Sequence, residues 1–298
     1  YYLWVKPVIL EDLVGNSATQ IVTSGEFWFD NTAPDVSFNP NTNTTWATSQ
    51  TTETTITENV PNESGINTWT LKYIWRKSSA GTPTASQITA AFTLDSSDTT
   101  ALVTQDITKN TETGNDWKLW IYAEDLAGNS IIESSDVFYL DNTAPTVTVN
   151  PTQATVCKST DVQITLSEIG SGLSTSNVKQ YTVAKSISDT AFDTNLKPYN
   201  SGDNVTIGEG LDGEYYLYVR QISDNAGNVS TTDNIETKGD AKYHKFGPYV
   251  FDNTGPKVTV TPANGEEILI ATGLDVTITW EDIGGAGIDT ATQYYYTV

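Results

Sequence analysis

The 298-residue chain carries 37 acidic against 15 basic side chains, a net charge of −22 that repels nucleic acid and anionic membrane surfaces and favours cations. Hydrophobic residues at 37% suffice for the cores of two or three domains, and no apolar run approaches the roughly 20 residues that span a bilayer. Cys157 is the single cysteine, so no intrachain disulfide exists and packing, bound ions or another crosslink must supply stability.

In chain order, the opening "YYLWV" (1–5) is followed by a Gly-Asn turn, "EDLVGN" (11–16), and then by "FDNTAP" (29–34). The same order recurs as "WKLWI" (117–121), "EDLAGN" (124–129) and "LDNTAP" (140–145), and again as "YYLYV" (215–219), "SDNAGN" (223–228) and "FDNTGP" (251–256). Asp30, Asp141 and Asp252 stand 111 residues apart, which marks a tandem array. Both ends fall inside a repeat, since "QYYYTV" (293–298) lines up with "KQYTV" (179–183). The expected domains are therefore 1–30, the C-terminal part of one unit; 31–141 and 142–252, two whole units; and 253–298, the N-terminal part of a fourth. Any targeting segment is expected outside the chain, which begins at Tyr1.

Within a unit the elements are short strands, with period-two alternation and Thr, Val and Tyr enrichment between Gly, Asn, Asp and Pro clusters. The first strand is "VSFNP" (36–40), "VTVNP" (147–151) or "VTVTP" (258–262), closed by its proline. A second follows as "VQITL" (162–166) and "VTITW" (276–280), then a turn holding "ESGI" (63–66), "EIGSGL" (168–173) or "EDIGGAGI" (281–288). In the third strand Trp69, Leu71, Tyr73 and Trp75 alternate with Thr70, Lys72, Ile74 and Arg76. About seven strands per repeat, all joined by turns, predict an all-β chain of β-sandwiches, and Tyr215 in "LDGEY" falls where such sandwiches place a tyrosine corner.

These motifs, recurring in one order along the whole chain, resemble the bacterial immunoglobulin-like repeats found in tandem in large cell-surface proteins and adhesins. Gly255 departs from the pattern by replacing the alanine of the linker. The resemblance implies an extracellular, cell-surface, mostly non-enzymatic stalk, fibre or lattice element, an elongated array whose expected partners are neighbouring copies, other surface proteins or glycans. It implies no nucleic-acid partner and no membrane contact within this segment.

In a sandwich of that topology each linker meets two turns of the domain that follows. Asp30 is then expected near Glu63, Glu124 and Asp125; Asp141 near Glu168 and Asp224; Asp252 near Glu281 and Asp282. Left unpaired, such clusters repel by on the order of a few kcal/mol in a partly buried setting. Ca²⁺ is the expected partner, because it takes six to eight oxygens, whereas Mg²⁺ demands stricter geometry and the near absence of His and Cys disfavours zinc. A second reading stands beside it: Asp and Asn before Thr-x-Pro are good turn formers whose side chains bond nearby amides, and Gly-Asn suits a hairpin.

The sixth strand carries Tyr2 and Trp4, Trp120 and Tyr122, or Tyr216 and Tyr218 on one face, opposite Leu3 and Val5, Leu119 and Ile121 or their equivalents, and which face points inward is left open. The rings suit core packing, lateral assembly or sugar stacking, so an adhesive or carbohydrate-binding module is one alternative function, and accessory domains of a large secreted enzyme are another. Catalysis by the chain itself is not expected. His244, the one histidine, reads as a surface residue of a loop, Cys157 has no partner base, and acids repeated at joints speak for structure. Sequons at Asn43, Asn62, Asn204 and Asn228, and the Thr-rich run 42–57, are candidate glycosylation sites in a host that modifies them.

Overall fold

The computed structural model describes residues 1–6, 11–18, 20–60, 63–110, 115–262, 276–289 and 291. The expected alignment of 293–298 and the sequon at Asn62 lie outside the described residues. The chain divides into two compact units, 1–142 and 143–298. Among the described residues both are built from strands and turns, with two single-turn 3-10 helices in the first unit, and no helix is long and apolar enough to cross a membrane.

The first unit begins with β1 (Tyr2–Val5) and β2 (Val22–Glu26), an antiparallel ribbon. There follow β3 (Asp35–Asn39), β4 (Gln50–Thr57), β5 (Lys72–Lys77), β6 (Ala90–Ala91), β7 (Leu102–Lys109), β8 (Asn115–Glu124), β9 (Ser130–Ser134) and β10 (Phe138–Leu140). One sheet runs β3-β4-β7; the other runs β10-β8-β5-β6, with β9 also on β8. Alternation explains why both sheets have an inner face: in β8 Trp117, Leu119, Ile121 and Ala123 are buried while Lys118, Trp120 and Tyr122 between them are half-buried. Ile56 of β4 and Val103 and Ile107 of β7 join Leu119, Ile121 and Ala123 in one core, so the sheets form a sandwich. Each of the buried Ile, Val and Leu side chains contributes about 1.5–3 kcal/mol by leaving water.

The expected alternation from Trp69 is corrected at its start. Thr70 N bonds Asn67 O at 3.0 Å, a turn that leaves Trp69 91% exposed, and β5 begins only at Lys72. Leu71 alone of that segment reaches full burial.

The second unit contains β11 (Thr146–Asn150), β12 (Ala154–Cys157), β13 (Thr160–Ser167), β14 (Gln180–Ala184), β15 (Lys197–Pro198), β16 (Asn204–Ile207), β17 (Gly213–Arg220), β18 (Ile235–Lys238) and β19 (Ala241–Phe251). Its sheets run β11-β13-β16 and β12-β19-β17-β14-β15, with β18 also on β19 and with β12 parallel to β19. Val149, Val162 and Ile164 of the first sheet meet Leu217, Val219 and Tyr249 of the second in one core. Tyr215 packs beside Phe251, ring centroids 6.1 Å apart. An antiparallel ribbon of β20 (Lys257–Thr261) and β21 (Thr277–Glu281) closes the described chain.

Two open or mistaken points resolve here. The aliphatic face of β8 and β17 is the inner one; on the outer face of β17, Tyr218 is buried beneath Phe192 of segment 185–196, which packs edge-on at 5.1 Å. His244 is not a surface loop residue. It lies in β19, fully buried, with Nε2 2.8 Å from Ser230 Oγ and Nδ1 3.0 Å from Thr232 Oγ1. Strand β18 pairs beside it, Ile235 opposite His244, and the segment before β18 supplies both hydroxyls, an arrangement that a basic, aromatic local sequence does not announce.

Candidate metal centre at the repeat junction

The junction of the first unit is built from three segments far apart in sequence. Asp30 folds back on its own linker, Oδ1 accepting Thr32 N at 3.0 Å, the short-range bond for which Asp is favoured in turns. Its Oδ2 reaches the "ESGI" turn and accepts Ser64 N at 2.6 Å. These amides, Thr32 first, hold the Asp30 carboxyl below the usual range. From the "EDLAGN" turn, Asn129 donates to Asp30 O at 3.1 Å and to Asp125 Oδ2 at 2.7 Å, while its own backbone N–H bonds Asp125 Oδ1 at 2.8 Å. The two turns are themselves joined, Leu126 N to Gly65 O at 2.8 Å and Ala127 N to Ser64 Oγ at 3.1 Å.

Asp125 is fully buried in this frame. Beside it lies Glu58, the residue after β4, only 7% exposed, and neither of its carboxylate oxygens has a hydrogen-bond donor. Burial pushes its pKa up from 4.5 to about 7, and the neighbouring carboxylates of Glu63, Asp125 and Asp30 push in the same direction. Glu63 accepts Asn59 N at 2.6 Å. None of the ion pairs among the described residues reaches these four acids; Lys238–Asp193 and Lys245–Glu236 belong to the second unit. Buried polar atoms are normally satisfied, so a carboxylate without a donor among three others is a place for a proton or a cation.

Of the expected residues, then, Asp30, Glu63 and Asp125 come together. Glu124 does not: its side chain takes the Tyr122 hydroxyl at 2.5 Å, and strand alternation sends it to the face opposite its neighbour Asp125. Sequence reasoning missed Glu58 and Asn129. The signal for Glu58 is register. Asp35 pairs with Thr57, Thr146 with Ser167 and Lys257 with Glu281, which makes Glu58, Glu168 and Asp282 equivalent, one residue beyond the second strand.

In the second unit Asp252 repeats the Asp30 pattern, Oδ1 accepting Thr254 N at 3.2 Å and Oδ2 accepting Ala286 N at 2.9 Å. The approach is so close that a Cβ on Gly284 would stand 1.7 Å from Asp252 Oδ1, so only glycine fits. Asp282 shares the turn through Gly285 N at 3.1 Å and Gly287 N at 2.5 Å, whereas Glu281 is exposed on β21. Asp224 and Asn228 repeat the Asp125 and Asn129 pair at 2.8 and 2.7 Å, and Glu168 Oε2 accepts Gly172 N at 2.7 Å. Asp141 is buried at the end of the first unit, its N–H on Ala47 O at 2.8 Å.

A scan against family models matches none, and a search of curated proteins returns no match.

Proposed function

We propose that the chain is a run of immunoglobulin-like sandwiches serving as an extracellular surface spacer, fibre or lattice element, with Ca²⁺ stiffening the joints between repeats. Glu58 carries the reading. A donorless carboxylate, buried against Glu63, Asp125 and Asp30, raises the energy of the metal-free fold, and a hard cation with oxygen ligands removes that cost. Such an ion would tie the linker at Asp30 to turns 63–66 and 125–129, turning a chain of hinges into a stiffer rod. The repeat writes acids again at Asp252 and Asp282, so the reading extends to that joint.

The test is a calcium titration of chelator-treated protein. The expected result is a rise in melting temperature with an increase in maximum dimension by small-angle scattering, both weakened in Glu58→Gln. Constant melting temperature and dimension up to millimolar calcium would overturn the reading.

A further inference from the structure

The repeat supplies an internal standard for what fills each place between the sheets. Tyr73 and Trp75 of β5 stand opposite Ile121 and Leu119 of β8, and Tyr181 and Val183 of β14 stand opposite Val219 and Leu217 of β17. Because 117–121 and 215–219 are the same segment of the repeat, Tyr181 is the counterpart of Tyr73, and Val183 that of Trp75. The next strand agrees: Ala90 pairs with Tyr73 and Lys197 with Tyr181. Two residues further on, Phe92 and Tyr199 each meet that tyrosine edge-on, at 5.8 and 6.4 Å.

The frame is therefore kept while one large side chain is lost. In the first unit the indole of Trp75 packs against the core, edge-on to Phe138 at 5.5 Å. In the second unit Val183 stands in its place, and Phe251, which replaces Leu140, makes up part of the difference by closing on Gly208. A cleft of about 300 Å³ remains. Tyr181, Val183, Ile207 and Leu211, all buried or half-buried, form its apolar floor, and the exposed Asn195, Lys197 and Glu209 form a polar rim. The three rim side chains make no hydrogen bond or ion pair with other described residues.

Protein interiors are close-packed, and a cleft of this size with an apolar floor and a few convergent polar groups is the usual form of a small-molecule site. An apolar space left where a large side chain is missing accepts an aromatic ring of matching size. We infer that this cleft binds a small planar aromatic compound of about the size of indole. The ring lies in the place that the first unit gives to Trp75, and a polar substituent on it faces Asn195, Lys197 and Glu209. Every lining residue falls within 181–211, inside one whole repeat, and no cation at the junction is involved.

The test titrates indole into the 298-residue chain in chelator, with the Val, Leu and Ile methyl groups labelled and followed by NMR. Saturable shifts are expected, with a Kd on the order of 1 mM or below and intermolecular Overhauser contacts from the ring to the methyls of Val183, Ile207 and Leu211. Val183→Trp, which restores the side chain used by the first unit, is expected to weaken indole binding at least about tenfold. Lys197→Ala is expected to weaken indole-3-acetate more than indole, because only the acetate brings a carboxylate to the rim. No saturation in the wild type, contacts confined to other residues, or unchanged affinity in a folded Val183→Trp would each overturn the inference. Should that variant fail to fold, the wild-type contacts decide alone. Equal effects of Lys197→Ala on the two probes would overturn the role given to the rim. None of these outcomes bears on the melting-temperature shift by which the calcium reading is judged.

Discussion

The side-chain amide of Asn129 holds the backbone carbonyl of Asp30 at 3.1 Å, joining residues 99 positions apart. Its other N–H serves the buried Asp125 at 2.7 Å. Asn129→Ala therefore leaves a buried carboxylate short of a donor and is expected to cost about 1–3 kcal/mol in urea denaturation. Asn16 makes the equivalent bond to Asp12 at 2.6 Å, but in the open, so Asn16→Ala is expected to cost under about 0.5 kcal/mol.

Glu58 gives the first unit a pH dependence in chelator. With the carboxyl at about 7 folded against 4.5 unfolded, the folded state keeps a proton that the unfolded chain releases. The contribution of Glu58 is then full below about pH 4.5, falls as pH rises toward 7, and levels off above it, a loss on the order of 2 kcal/mol, while depressed carboxyls such as Asp30 act with the opposite sign at lower pH. Melting curves across that window should flatten in Glu58→Gln and, for the wild type, with saturating calcium.

His244 imposes the opposite sign on the second unit. Burial lowers its pKa from 6.5 to about 4, so the folded state resists protonation. Stability is full above pH 6.5 and declines as pH falls toward 4. Because the chain has one histidine, its imidazole proton resonances report this directly, and a midpoint near 6.5 in the folded protein would refute the burial.

Gly208 and Gly202 separate backbone strain from packing. Both have positive φ, +102° and +88°, but a Cβ on Gly208 would stand 2.2 Å from the Phe251 ring, while one on Gly202 meets nothing within 4 Å. Gly202→Ala should cost about 1 kcal/mol and Gly208→Ala about 3 kcal/mol or more, read as midpoint shifts in denaturant.

The strands were legible where the inner face is aliphatic, as in Val162, Ile164 and Leu166 of β13. They were obscured in β4, where Thr52 and Thr54 occupy the same buried positions and Thr52 Oγ1 turns to Pro40 O at 2.5 Å. At the junction, repetition of "DNT" singled out Asp30, and the neighbouring "EDLAGN" supplied Asp125. The same motif suggested Glu124, which only a knowledge of strand phase removes. Glu58 sits in a threonine-rich run that reads as solvent-facing, and its role emerges only once pairing aligns it with Glu168 and Asp282. His244 shows the remaining gap: its burial depends on the pairing of β18 with β19 and on the hydroxyls of Ser230 and Thr232, which local composition does not announce.

The parallel pairing of β12 with β19 has a mechanical consequence. Ala154 lies opposite Tyr249 and Cys157 opposite Phe251, and Asp252 N bonds Cys157 O at 2.9 Å; the first unit echoes this where Ala47 bridges Leu140 in parallel. When a unit is pulled between its entry and exit, parallel strands are loaded in shear, so their bonds must yield together and cannot unzip singly. Force, under which lifetime is governed by the unfolding rate, would then meet its resistance at the segment that leads directly into the Asp252 linker.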